Sequence, residues 1–155
     1  PDRVAEVDYA VCYGCGECVA ACPYGAIATQ WKTDADMLQE KIVEHAAGEL
    51  AGKDGKVVYL SFVTAVSPDC DCWSFSDAPI VPDLGVLASA DIVAIEQAAY
   101  DLVTQAAGLA GSRGEGMAAG SDKFTAITGV DGTRAIAYAE EMGLGTRDYE
   151  LVSVD

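Results

Sequence analysis

The stretch that decides the reading is Cys12-Tyr13-Gly14-Cys15-Gly16-Glu17-Cys18-Val19-Ala20-Ala21-Cys22-Pro23. Four of the six cysteines lie in it, and the other two are Cys70 and Cys72. A disulfide framework fits poorly, because disulfide-dense scaffolds are small and core-poor. A metal centre fits better, since one short loop can turn several thiolates toward one point. The spacing Cys-x2-Cys-x2-Cys-x3-Cys-Pro is that of bacterial 4Fe–4S runs. Three thiolates at two-residue intervals can wrap one side of a cubane cluster. Gly14 and Gly16 stand between them, where a tight loop needs positive φ. They also let backbone N–H groups approach the sulfurs and tune their potential. A zinc site with four cysteine ligands is the alternative, although zinc commonly uses two separated Cys-x2–4-Cys pairs.

The fourth ligand stays open at this stage. Cys22 can close the cluster begun by Cys12, Cys15 and Cys18. In two-cluster proteins the cysteine before the proline serves the other cluster instead. The distant fourth thiolate would then be Cys70 or Cys72, in Pro68-Asp69-Cys70-Asp71-Cys72. Two complete four-thiolate clusters need more thiols than the chain has, so one cluster is expected. A second metal would have to recruit Asp69, Asp71 or His45. The plainer reading of this acidic turn is solvated loop with inert thiols.

Around these motifs the composition sets bounds. The chain has 155 residues, is 51% hydrophobic and carries a net charge of −16. That is enough apolar content for a core, and the length suits one domain over 1–155. The expected division is a cysteine module over 1–31 and an α/β remainder over 32–155. A strongly acidic chain lacks the Lys and Arg with which proteins displace counterions from nucleic acid. It is equally unsuited to an anionic membrane surface. The longest run without Asp, Glu, Lys or Arg is Cys18 to Trp31, at 14 residues. A transmembrane helix needs ~18 or more apolar residues. The start has no basic-then-apolar pattern of a signal peptide, so a cytoplasmic location is expected. The run begins abruptly after Pro1, and the chain is expected to be the C-terminal fragment of a longer protein.

The fold class expected is α+β or α/β: a ferredoxin-like cysteine module packed on a small sheet, with about three to four helices. Ala26 to Thr29 can start a short strand. Thr33-Asp34-Ala35-Asp36 resembles a capping box, followed by Leu38, Ile42, Ala46 and Leu50 at helical spacing. Lys56 to Val66 is apolar on both faces and suggests a buried, parallel strand. Ser89 can cap a helix whose stripe is Ile92, Ile95, Ala99, Leu102, Val103 and Ala106. Residues 106–121 are rich in Gly and Ala and suggest either a flexible loop or backbone approaching a partner. Ser121 and Asp131 can each cap a short helix, the second ending at Gly143-Leu144. Tyr149 to Val154 suggests a last strand. Trp31 and Trp73 lie near cysteines and can either shield a cluster or pack in the core.

Residues 8 to 31 resemble one half of a bacterial-type ferredoxin, while the remainder does not resemble its second half. The whole chain resembles the C-terminal part of a family called domain of unknown function 362. The residues that carry this are Cys12 to Pro23, Pro68 to Cys72, Ala78 to Ser89, Asp91 to Asp101 and Ala139 to Leu151. The resemblance implies an iron–sulfur protein, from a family whose members are usually longer at the N-terminus. It also implies that a substrate site can lie in that preceding part. Where many relatives have Asp-Pro and Asp-Gln, this chain has Asp91-Ile92 and Glu96-Gln97, so Glu96 can still serve as the acidic group.

Three functions follow from the residues. The first is one-electron transfer through a 4Fe–4S cluster, with a redox partner that offers a basic docking patch. The second is an enzyme with an open iron site, helped by Asp69 and Asp71. The third is a structural cluster or zinc module. The one histidine, His45, supplies no triad or phosphate signature, and Glu140-Glu141 suggests a solvated helix face.

Overall fold

The computed structural model of the chain describes residues 6–27, 35–70 and 74–154. Two compact units separate, Pro1–Thr33 and Asp34–Asp155. The first holds one short helix, α1 (Glu17–Ala21). The second contains α2 (Ala35–Leu50), β1 (Tyr59–Val63), β2 (Gly85–Ser89), α3 (Ile92–Gln105), α4 (Lys123–Thr128) and α5 (Thr133–Glu141). The architecture is a small α+β fold, with five helices among the described residues.

The strand expected over Lys56–Val66 is shorter and pairs differently. β1 and β2 run antiparallel, with Tyr59 opposite Ser89 and Val63 opposite Gly85. Successive side chains of β1 alternate, so Val63 is buried while Leu60 and Phe62 are 62% and 67% exposed. Apolar residues on both faces suggest a strand covered on both sides. Here α3 packs against both strands, yet Leu60 and Phe62 remain exposed. The core beside the sheet consists of Val63, Ile80, Val81 and Val103, with Leu87, Ala99 and Phe124 against it. Burying side chains of this size contributes ~1.5–3 kcal/mol each.

Helix α2 turns a different stripe inward from the one its periodicity suggests. Val43 is buried, whereas Leu38 and Ile42 are 54% and 59% exposed. Its partner is α5, and the contact is largely polar. Gln39 donates to the Asp131 carbonyl (2.9 Å) and accepts from the Ala135 N–H (3.2 Å). Arg134 pairs with Glu40 of α2 and, at 3.0 Å, with Glu141 of its own helix. A hydrophobic pattern cannot reveal a helix seated by Gln39 and Glu40. The capping box expected at Thr33-Asp34 lies outside the described residues.

The other caps fall beside the serines singled out. Asp91 caps α3, accepting from the N–H groups of Val93 (2.8 Å) and Ala94 (3.0 Å), while its own N–H donates to Ser89 Oγ. Asp122, not Ser121, caps α4 through the Thr125 N–H (3.1 Å). Gly132, not Asp131, is the N-cap of α5 and makes no side-chain bond, while Asp131 just before it accepts from the Thr133 N–H (2.8 Å). Asp is a strong N-cap because its oxygens satisfy N–H groups that the helix leaves orphaned. Gly143 ends α5 in the left-handed region at φ +74°, and Leu144 donates to the Ala139 carbonyl (3.0 Å).

The Gly-rich segment is tied to the rest of its unit by backbone contacts. Gly108 donates to the Met117 carbonyl (2.9 Å), and Leu109 donates to that of Ile80 (2.9 Å). A Cβ on Gly108 would stand 1.7 Å from the Gly114 carbonyl oxygen, and one on Gly114 would stand 2.4 Å from that of Ile80. These glycines exist for close backbone approach within the chain. After them comes Lys123, which is 0% exposed. Its ammonium donates to the carbonyls of Thr104 (3.0 Å), Ser121 (3.2 Å) and Ala118 (3.4 Å). Burial pulls its pKa down, while the neighbouring Asp122 opposes that.

The ends of the expected strand list differ too. Ala26 and Ile27 are not in a strand, and Ala28 and Thr29 lie outside the described residues. Residues 149–154 form no strand. The segment is tied down by side chains instead. Asp91 accepts from the Thr146 N–H (3.0 Å), and Tyr149 donates to Asp101 (2.8 Å).

Gly108→Ala should lower stability by about 2–4 kcal/mol, because its Cβ meets backbone that cannot yield. Gly48→Ala, inside α2 with open space around it, should instead raise stability by about 0.5–1 kcal/mol. Urea midpoints of the two variants should move in opposite directions. Lys123→Met removes the three bonds from a buried ammonium to backbone carbonyls and should cost about 1–3 kcal/mol by the same measurement.

Candidate metal centre

The cysteine run occupies the first unit. Asp8 opens it by accepting from the Cys12 N–H at its carbonyl (3.0 Å) and from the Ala10 N–H at its carboxylate (2.9 Å). Gly14 and Gly16 then take φ of +78° and +73°. L-residues avoid this region at a cost of ~1–2 kcal/mol, so the glycines are there for conformation. Gly16 is also the N-cap of α1, and the Val19 and Ala20 N–H groups both donate to its carbonyl (3.0 Å each). The helix places Cys18 in its first turn, and Cys22 follows as its C-cap.

Cys12, Cys15, Cys18 and Cys22 are in no disulfide. The first three are exposed and Cys22 is half-buried. The Ala26 N–H donates to Cys22 Sγ at 3.3 Å. That N–H, then those of Tyr24, Ile27 and Gly25, lowers the Cys22 pKa. The Cys15 thiol is lowered chiefly by the Glu17 N–H and next by the Tyr13 hydroxyl. The same contact raises Tyr13. N–H groups facing sulfur are what a thiolate-ligated centre uses to orient and tune its ligands. Among the described residues, no three His, Cys, Asp or Glu side chains are grouped closely enough to hold a metal ion. The donor types and the loop backbone thus suit a thiolate-bound cluster, while the sulfurs themselves are not gathered.

The second pair belongs to the other unit. Ala65 leads into it with φ +49°, rare for a residue with a side chain, and its N–H donates to Asp83 (2.8 Å). Pro68 is buried, and the Asp69 carbonyl accepts from Ser67 Oγ (2.9 Å). The Asp69 carboxylate pairs with Arg113 at 2.6 Å, and Arg113 also donates to the Ile127 carbonyl (3.1 Å). Asp69 is therefore engaged by a guanidinium, which competes with a role as metal ligand or acid–base group. Cys70 is exposed. Asp71, Cys72 and Trp73 lie outside the described residues, as does Trp31. His45 is exposed on α2, and its Nδ1 donates to the Lys41 carbonyl at 2.8 Å, which leaves it a local role.

Three contributors were not singled out from the sequence. Tyr13 lies inside the run, and its position between two cysteines was the available signal. Arg113 and Ala65 gave none, because only the fold brings Arg113 to Asp69 across 44 residues. No described helix is long and apolar enough to cross a membrane.

Comparison with curated proteins and with solved structures yields no match. A family model described as a domain of unknown function (DUF362) matches residues 12–101. The matched span runs from the first cysteine of the run through β1, the Pro68–Cys72 turn and β2, and ends within α3. The stretch Ala139 to Leu151 lies beyond it. The match covers more than half of the chain, which therefore belongs to the family described as domain of unknown function, DUF362.

Proposed function

We propose that the chain binds one 4Fe–4S cluster through Cys12, Cys15, Cys18 and Cys22 and serves as an electron-transfer module. The observation that carries this is the run itself. Four free cysteines stand at cluster spacing, on a loop whose Gly14 and Gly16 take left-handed φ and whose Ala26 N–H meets Cys22 Sγ. When bound, such a cluster supplies reversible one-electron storage. The residues of this chain contribute the rest. The N–H groups around Cys15 and Cys22 favour their thiolate forms and so favour ligation. Cys70 and Cys72 are the reserve donors, for a fourth ligand or for a second metal.

The surroundings of the run suit a protein partner. Tyr9, Val11, Tyr13 and Tyr24 are all more than two-thirds exposed. Aromatic side chains supply contact area at transient docking surfaces. The net charge of −16 selects a partner with a basic patch and speeds the encounter. The same charge disfavours nucleic acid.

The test is iron, sulfide and zinc content, with a visible spectrum, on protein purified without oxygen. About four irons and four sulfides per chain are expected, with absorbance bleached by dithionite. Cys22→Ser should lose the cluster while Cys70→Ser keeps it. The opposite pattern would move the fourth ligand to the second cysteine pair. Zinc without sulfide would replace this reading with a structural site.

A further inference from the structure

The Asp34–Asp155 unit contains an open cavity of about 810 Å³, bounded by residues of α2, β1, α3, α4 and α5. Small-molecule sites commonly span ~300–1,000 Å³, with apolar walls and a few convergent polar groups. Residues such as Val43, Val63, Val103, Phe124 and Ile136 line this cavity. Among all the lining residues one carries a charge, Glu96. Tyr100 follows it by one turn on α3, so the two groups share a helix face. The Tyr100 hydroxyl is buried beside the Asp122 and Thr125 side chains, with neither at full hydrogen-bond geometry. A buried hydroxyl left unpaired is costly, and such groups usually have a partner.

Glu96 as a whole residue is exposed, yet enough protein surrounds its carboxyl for desolvation to raise its pKa. A carboxylate in that position gains from a cation that arrives with it out of water. A neutral head gives it less, and an anionic head repels it. The surplus of acidic residues over the whole chain adds attraction for cations at longer range. Small side chains at Ala99 and Ala135 leave the space open between the polar pair and the apolar walls. We propose that this cavity binds a small, largely apolar molecule with a single ammonium head, the head against Glu96 and a neighbouring polar group against the Tyr100 hydroxyl. This site is independent of the cysteine run.

The test uses two fluorescent probes with the same apolar body. Dansylcadaverine ends in an ammonium, and dansyl-6-aminohexanoic acid ends in a carboxylate. Titrated into the full chain, the ammonium probe should bind at least about tenfold more tightly, a step of about 1.4 kcal/mol. Glu96→Gln should bring the two affinities within about twofold while leaving the rest of the acidic surface in place. Ala99→Phe fills the cavity and should abolish binding of both probes with the melting temperature kept or raised. Should that variant fail to fold, Ala135→Leu provides the same occlusion with a smaller side chain. Equal affinities for the two probes in the unsubstituted chain would overturn the proposal. So would an ammonium preference that survives Glu96→Gln, or binding that survives a folded, filled variant. A dimer by sedimentation equilibrium that excludes both probes would assign the cavity to a second copy instead.

Discussion

The backbone of Ile80 is the point at which the larger unit is joined together. Its N–H donates to the Val66 carbonyl (2.8 Å) and its carbonyl accepts from the Leu109 N–H (2.9 Å). Gly114 abuts the same carbonyl so closely that no side chain fits there. The Ile80 and Val81 side chains are 0% exposed. One residue thereby ties the exit of β1, the Gly-rich segment and the hydrophobic core. Buried backbone groups must find partners, and here each partner comes from a different part of the chain. The turn that carries Cys70 lies between Val66 and Ile80, so its two ends are set by this junction. Arg113 belongs to the same Gly-rich segment, which is why it arrives at Asp69.

Lys123 ties together three carbonyls next to this junction. After Gln105 the chain leaves α3 and winds through several turns, where the Thr104 carbonyl also accepts from the Gly120 N–H and the Ala118 carbonyl from Ser121. One ammonium has three donors and reaches all three carbonyls. Burying an unpaired charge is costly, but Asp122 lies beside it and three carbonyl dipoles face it. The arrangement exchanges hydration for fixed dipoles and thereby holds α4 against the end of α3. No apolar residue could do this, since none donates hydrogen bonds from its side chain.

The backbone of the candidate site was legible because it depends on local spacing: Gly14 and Gly16, set between the cysteines of the run, take the left-handed φ expected of them. The helices were legible where local signals decide, as with Gly143 ending α5. What escaped depends on distant residues. The inward face of α2 is chosen by Arg134, Asp131 and Ala135, some ninety residues away. β1 and β2 pair antiparallel because Leu84 returns to the Val63 carbonyl (2.8 Å), a contact with no sequence signature. Glycine in residues 106–121 suggests freedom, whereas Gly108 and Gly114 let backbone approach backbone and Gly111, Gly116 and Gly120 take left-handed turns. A lone lysine after Asp122 gives no hint that it is the most buried polar residue described.

The acidity of the chain also gains meaning from the fold. Of its nine basic residues, Arg113, Arg134, Arg147 and Lys53 form ion pairs within the chain, and Lys123 is buried. Those cations serve internal geometry: Arg134 joins α2 to α5, and Arg147 fixes the C-terminal segment to Glu140. The carboxylates they pair with are far fewer than the acidic residues, so the field reaching solvent is negative. Exposed pairs contribute little stability, but they remove the positive charge that would offset this field. Its range is a Debye length, ~8 Å at physiological salt, so the encounter rate should respond to ionic strength more than the contact itself does. The charge balance and the cysteine run therefore bear on different steps of the proposed electron transfer, the first on association and the second on the electron.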